Sequence, residues 1–92
     1  EITDNQVGVY ARSAAGGGTV NVALVDSVVN GNTSTGVLSE DAQATINASG
    51  NTISHNGNGI RALTGGNLVS FGDNVVVSNN NNGTFTATAT KQ

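Results

Sequence analysis

Apolar residues in this chain come singly or in short runs, set among Asn, Gly, Ser and Thr. In the stretch Gly50–Gly59, GNTISHNGNG, a single apolar residue, Ile53, has Asn51 two places before it and Asn56 three places after it. A helix cannot be built on that wording, because Asn, Ser and Thr compete for the backbone and Gly costs about 1 kcal/mol relative to Ala. It predicts a very short strand held between two turns. Similar wording recurs as DSVVNGN at residues 26–32 and DNVVVSN at residues 73–79. Repetition at a fixed period outranks local propensity as a guide to architecture.

Anchored on Ile53, the period is 24 residues back to Val29 and 23 forward to Val76, with Ile2 a further 27 before Val29. Three residues after each of these four stands an asparagine: Asn5, Asn32, Asn56 and Asn79. Three or four residues later comes a glycine: Gly8, Gly36, Gly59 and Gly83. Val9, Val37 and Ile60 follow the first three of these, and Thr84 follows the last. Two further columns keep the same step, Val22/Ile46/Val69 and Leu24/Ala48/Phe71.

Each unit therefore divides into three short strands. The first is Val9–Ala11, Thr19–Leu24 and Val28–Val29. The second is Val37–Ser39, Ala44–Ala48 and Thr52–Ser54. The third is Ile60–Ala62, Leu68–Phe71 and Val75–Val77, and a fourth begins at Thr84 and stops at Gln92. The step from Val9 to Val22 is 13 residues against 9 in the next two units, which places a four-residue insertion in the SAAGGG loop at residues 13–18. Strands this short, with no helical segment to make a βαβ crossover, are accommodated by coiling the chain so that each strand lies parallel to its counterpart one repeat later. Coils then lie ~4.8 Å apart. The expected fold is all-β, a right-handed parallel β-helix with three short strands per coil of 23–24 residues. The apolar columns become interior stacks. The column Asn5/Asn32/Asn56/Asn79 becomes an asparagine ladder at one turn, and Ser27/Asn51/Asn74 a weaker one at another.

GNTISHNGNGI, at Gly50–Ile60, resembles the repeat of bacterial right-handed parallel β-helix proteins, the superfamily that includes pectate lyases and polygalacturonases. The resemblance runs from Ile2 to about Phe85 and speaks to fold more than activity, because the repeat encodes the coil and not a site. It implies a location outside the cytoplasm, extracellular or at the cell surface. Members of that superfamily have more coils and capped ends, whereas this chain has about three and a half coils and no recognisable cap at either end. Residues 1–92 are accordingly expected to form a single β-helix domain, a segment of a larger solenoid or a coil stack that pairs with another chain through its open ends.

Composition refines this picture. Hydrophobic residues make up 36% of the chain and aromatic residues 3%, too little for an ordinary two-layer globule, yet charged residues are only 10%, which argues against charge-driven disorder. Thirteen glycines and no proline suit many strands joined by tight polar turns. The lack of cysteine excludes disulfides and thiolate-held metals. Three Lys and Arg residues in all provide no footprint for nucleic acid, and no apolar run approaches the ~20 residues of a membrane span.

By resemblance, a pectate lyase would need clustered carboxylates holding calcium and an arginine base, and a polygalacturonase a group of aspartates. The carboxylates here are Glu1, Asp4, Asp26, Glu40, Asp41 and Asp73. Asp26 and Asp73 share a column two coils apart, with Gly50 between them, and are read as turn formers. Glu40 and Asp41 form the best acid pair, flanked by Arg12 and, one place out of register, Arg61; a stacked Arg12–Glu40 ion pair on the outer face is expected. His55, the only histidine, shares a turn column with Asp4, Gly31 and Ser78 and faces solvent as a lone ligand. The threonines of TFTATAT at residues 84–90 lack the matching rows in earlier coils that an ice-binding face needs, and the glycine runs lack a calcium-repeat pattern. No catalytic, cofactor-binding or metal-binding residue is assigned. The expected function is a non-enzymatic structural or scaffold solenoid that self-associates through open coil ends into a homo-oligomer. The alternative is a segment of a polysaccharide-binding or polysaccharide-cleaving β-helix.

Overall fold

The computed structural model describes residues 1–14 and 17–90. Its strands are β1 (Ile2–Thr3), β2 (Val7–Arg12), β3 (Val20–Val25), β4 (Val28–Asn30), β5 (Thr35–Glu40), β6 (Ala44–Ser49), β7 (Thr52–Ser54), β8 (Asn58–Leu63), β9 (Asn67–Ser70), β10 (Val75–Val77) and β11 (Ala87–Thr88). Among the described residues there is no helix, and none that could cross a membrane. The strands form three parallel sheets in the orders β1-β4-β7-β10, β2-β5-β8 and β3-β6-β9-β11. Each strand pairs with its counterpart one repeat before or after it, giving a parallel β-solenoid of about three turns.

The interior follows from the columns. Ile2, Val29, Ile53 and Val76 are Cα partners in series, as are Val9, Val37 and Ile60. Val29 and Ile53 are 0% exposed and Val37 is 1%. Burying such a side chain contributes about 1.5–3 kcal/mol, and the middle coil, packed from above and below, collects this benefit in full.

One column differs from the sequence reading. Ile46 pairs with Leu68 rather than Val69, and Ala48 with Ser70 rather than Phe71. Leu63 to Asn67 spans in four steps what their partners Glu40 to Thr45 span in five. The shortening is possible because Gly65 adopts φ +80° and Gly66 lies where any Cβ would collide with the Ser39 carbonyl. Side chains alternate along a strand, so a one-residue shift exchanges the faces. Leu68 turns inward at 0% exposure, and Val69 and Phe71 stay half-buried. The buried Ser70 hydroxyl accepts hydrogen bonds from Gly72 N–H (3.1 Å) and Asn74 Nδ2 (2.9 Å).

The turn after the β1-β4-β7-β10 sheet carries the asparagines. Asn32 Nδ2 donates to Asn56 Oδ1 at 2.9 Å, Asn56 Nδ2 to Asn79 Oδ1 at 3.0 Å, and the backbone N–H groups of Asn5, Asn32 and Asn56 donate to the same oxygens of the next coil. A second series runs from Ser27 N–H to Asn51 Oδ1 and from Asn51 Nδ2 to Asn74 Oδ1, at 2.9 Å each. These amides satisfy turn backbone that the sheets leave unpaired, the condition for burying polar turns at all. The glycine column has a matching cause: a Cβ on Gly36 would sit 2.7 Å from Gly59 O and 2.8 Å from Asn56 Nδ2.

The insertion after β2 falls where expected, and of its residues Ala15 and Gly16 lie outside the described set. Ser13 Oγ donates to Gly18 O at 2.7 Å across it. The far end departs from expectation. The last coil does not open a new strand at Thr84. Asn81 bridges Asn58, and the chain then cuts across to β11, whose Ala87 and Thr88 pair with Val69 and Ser70. Phe85 packs against the core on the way.

Candidate functional site

The outer face of the β2-β5-β8 sheet brings together the two arginines, Glu40 and the one tyrosine. Tyr10, Leu38 and Arg61 are Cα partners in one outward row, and Arg12, Glu40 and Leu63 in the next. Arg61 therefore stands two places, not one, from Glu40 in register. Leu38, although outward-facing, is only 8% exposed in this row, while Tyr10 is 49% exposed. The Tyr10 hydroxyl donates to Glu40 Oε1 in a short contact. This is the diagonal neighbour relation of paired strands, within reach of a long aromatic side chain.

The expected Arg12–Glu40 ion pair is replaced by a different one. The two residues are in register, but Arg12 Nε lies 3.9 Å from Asp41 Oδ2 while Glu40 turns to the phenol. Asp41 sits at the corner with φ 81°, which re-aims its carboxylate beside Arg12. At this distance and exposure the pair contributes about 0–1 kcal/mol. The Tyr10 pKa is raised above its ordinary value, chiefly because the phenol donates to Glu40, with partial desolvation and the Glu40 charge adding to it. Opposing that, the Arg12 charge lowers it.

The remaining candidates occupy turns. Asp4, Gly31, His55 and Ser78 stack at one corner with φ between 58° and 70°. His55 is exposed, and its Nδ1 lies 3.2 Å from Ser54 Oγ. Around it is an open depression of about 410 Å³ lined by Gly31, Thr33, Gly57, Ser78 and Asn80 among others. It offers hydroxyls, amides and one imidazole, a surface for hydrogen bonding. Asp73 accepts from Gly50 N–H at 2.9 Å and from Ser49 Oγ at 3.2 Å, so its carboxylate fastens the preceding coil. Asp26 takes φ 50° at the corner above Gly50. Among the described residues, no three His, Cys, Asp or Glu side chains come together as a metal-binding group.

Sequence reasoning placed Arg12 and Glu40 in one column of the outer face, where the structure has them in register, but missed the phenol bonded to Glu40. The signal was available: Tyr10 stands two before Arg12, so once Arg12 is aligned with Glu40, Tyr10 lies one alternate position away on the same face. No protein-family model, curated protein or solved structure matches the chain.

Proposed function

We propose that the chain is a non-enzymatic structural segment, a rigid spacer or scaffold in a secreted or surface protein, that self-associates through an open coil end. The observation that carries this reading is the stacking of both apolar and polar interiors: Val29 over Ile53, and Asn32 bonded to Asn56 bonded to Asn79. Residues used this way serve the continuation of the coil. The resemblance of Gly50–Ile60 to bacterial β-helix repeats supports the extracellular or surface location and the pectate-lyase-like kinship. Sedimentation velocity across a wide concentration range tests the association: a concentration-dependent shift is expected, and a strictly monomeric boundary throughout counts against it. Incubation with polyuronate and calcium tests the non-enzymatic reading, since release of unsaturated product overturns it.

One observation favours a second reading, a polysaccharide-binding segment. Tyr10, half-exposed beside Leu38 and bonded to Glu40, with Arg61 one coil beyond Leu38 in the same row, offers a ring and a carboxylate with a guanidinium further along the face. Retention on immobilised acidic or neutral glycans that is lost in Tyr10→Ala would select this reading over the scaffold.

A further inference from the structure

A parallel coil stack has two ends, and each presents unpaired strand edges and a cross-section of core. Here the end after the third coil is covered by the chain itself. Gly59 N–H and Ile60 N–H donate to Asn81 O and Asn82 O at 2.8 and 3.1 Å, which occupies the first half of the lower edge of β8. In the third coil the path from Ile60 to Leu68 takes eight steps; beneath it, Gly83 to Thr86 takes three, given that Asn81 lies under Asn58 and Ala87 under Val69. The chain therefore crosses the end of the coil instead of following its perimeter, and Phe85, midway along the shortcut, packs on the core. Gly83, at φ +78° and pressed against the Ile60 carbonyl, makes the inward bend.

Two side chains imitate a further coil. Asn79 N–H and Nδ2 donate to Asn82 Oδ1 at 3.2 and 3.0 Å, the same two bonds that Asn56 makes to Asn79, though Asn82 is only three residues away rather than a full repeat. Thr86 Oγ1 accepts from Leu68 N–H at 2.8 Å and donates to Leu68 O at 3.0 Å, while Thr86 N–H donates to Leu68 O at 2.8 Å. The edges left, β10 and residues 61–63 of β8, are three residues long each, and short edges are poor templates for strand addition.

We propose that residues 79–88 are a built-in cap that closes this end of the solenoid against the coil edge of a second copy. Asn82 terminates the amide series, Phe85 plugs the core and Thr86 terminates the β3-β6-β9 sheet. The opposite end is different in kind: Val9, Val20, Val22 and Ile2 are only half-buried, while Val37, Ala44, Ile46 and Val29 one coil further in are 0–1% exposed. A head-to-tail contact, which propagates without closing, needs both ends. The cap withholds one of them. This rests on the proposed self-association only for the identity of the partner; the cap stands or falls separately.

Two measurements on the 92-residue chain separate these. By hydrogen exchange, the Leu68 amide in the wild type is expected to be protected, and Thr86→Val is expected to speed its exchange about tenfold while leaving Ile46 unchanged. A Leu68 amide that exchanges as freely as a loop amide in the wild type overturns the cap. By sedimentation, the double variant Asn82→Ala/Phe85→Ser, checked for retained β-structure, is expected to reach roughly twice the wild-type average mass or more at high concentration. A folded double variant no larger than the wild type, or open-ended growth of the wild type itself, also overturns it. A wild type that stays monomeric while the variant grows overturns the self-association reading and supports the cap.

Discussion

At the scale of single residues, the buried asparagines matter as much as the hydrophobic side chains beside them. Asn56 is 3% exposed, donates through Nδ2 to Val29 O, Ser54 O and Asn79 Oδ1, and accepts from Asn32 at both N–H and Nδ2. Asn56→Ala strands several of these partners without water, each at a cost of about 1–3 kcal/mol when unsatisfied. A loss of about 3 kcal/mol is expected from urea denaturation, against about 0.5 kcal/mol or less for the exposed Asn80→Ala. The Tyr10–Glu40 contact makes a pH prediction of definite sign. The phenol's folded pKa is raised, so the contact's contribution is complete below the ordinary tyrosine value and is lost as pH rises through the folded value. Ultraviolet titration of Tyr10 should therefore run alkaline of free tyrosine, and Glu40→Gln should move it back towards the ordinary value. Both residues were visible in the sequence. Their contact was overlooked, although their places on one face were legible, because charge pairing between Arg12 and Glu40 was the simpler expectation and ignored the corner at Asp41.

At the scale of strands and turns, the glycine column is a steric requirement. Gly36→Ala would force its methyl against a backbone carbonyl of the next coil and the Asn56 amide, at 2.7 and 2.8 Å. Neither neighbour can swing away, since one is backbone and the other is held by hydrogen bonds on both sides. Overpacking of this kind costs about 1–3 kcal/mol, and a lower thermal midpoint with unchanged circular dichroism is the expected signature. The positions of these glycines three or four residues after each asparagine were legible in the sequence, and so were the strands around Val37, Ile46 and Ile53. Register in the third coil was not. Val69 and Phe71 kept the arithmetic of the earlier spacing, and only the close approach of Gly66 to Ser39 shows that the turn lost a residue and sent Leu68 inward.

At the scale of the whole molecule, each coil has only its neighbours for support, so a residue's worth depends on its place in the stack. Ile53 is covered by Val29 above and Val76 below and is 0% exposed, whereas Val76 at the end of the same column is half-buried. Ile53→Ala is expected to cost about 2–5 kcal/mol, and Val76→Ala distinctly less, by equilibrium denaturation. The solenoid itself could be read from the columns because identical residues recur at the same step. The end could not: TFTATAT alternates like another strand, and its shortcut across the coil depends on contacts with Ile60 and Leu68 that no periodicity encodes.

The amides of Asn32, Asn56, Asn79 and Asn82 all point the same way, each oxygen facing the coil before it. Bond dipoles arranged in series along one line polarise one another, so this turn gives the molecule an electrical axis, with its negative pole towards the first coil. Breaking the line in the middle weakens the links on both sides. Loss of Asn56 and Asn79 together should therefore be less costly than the two losses counted separately.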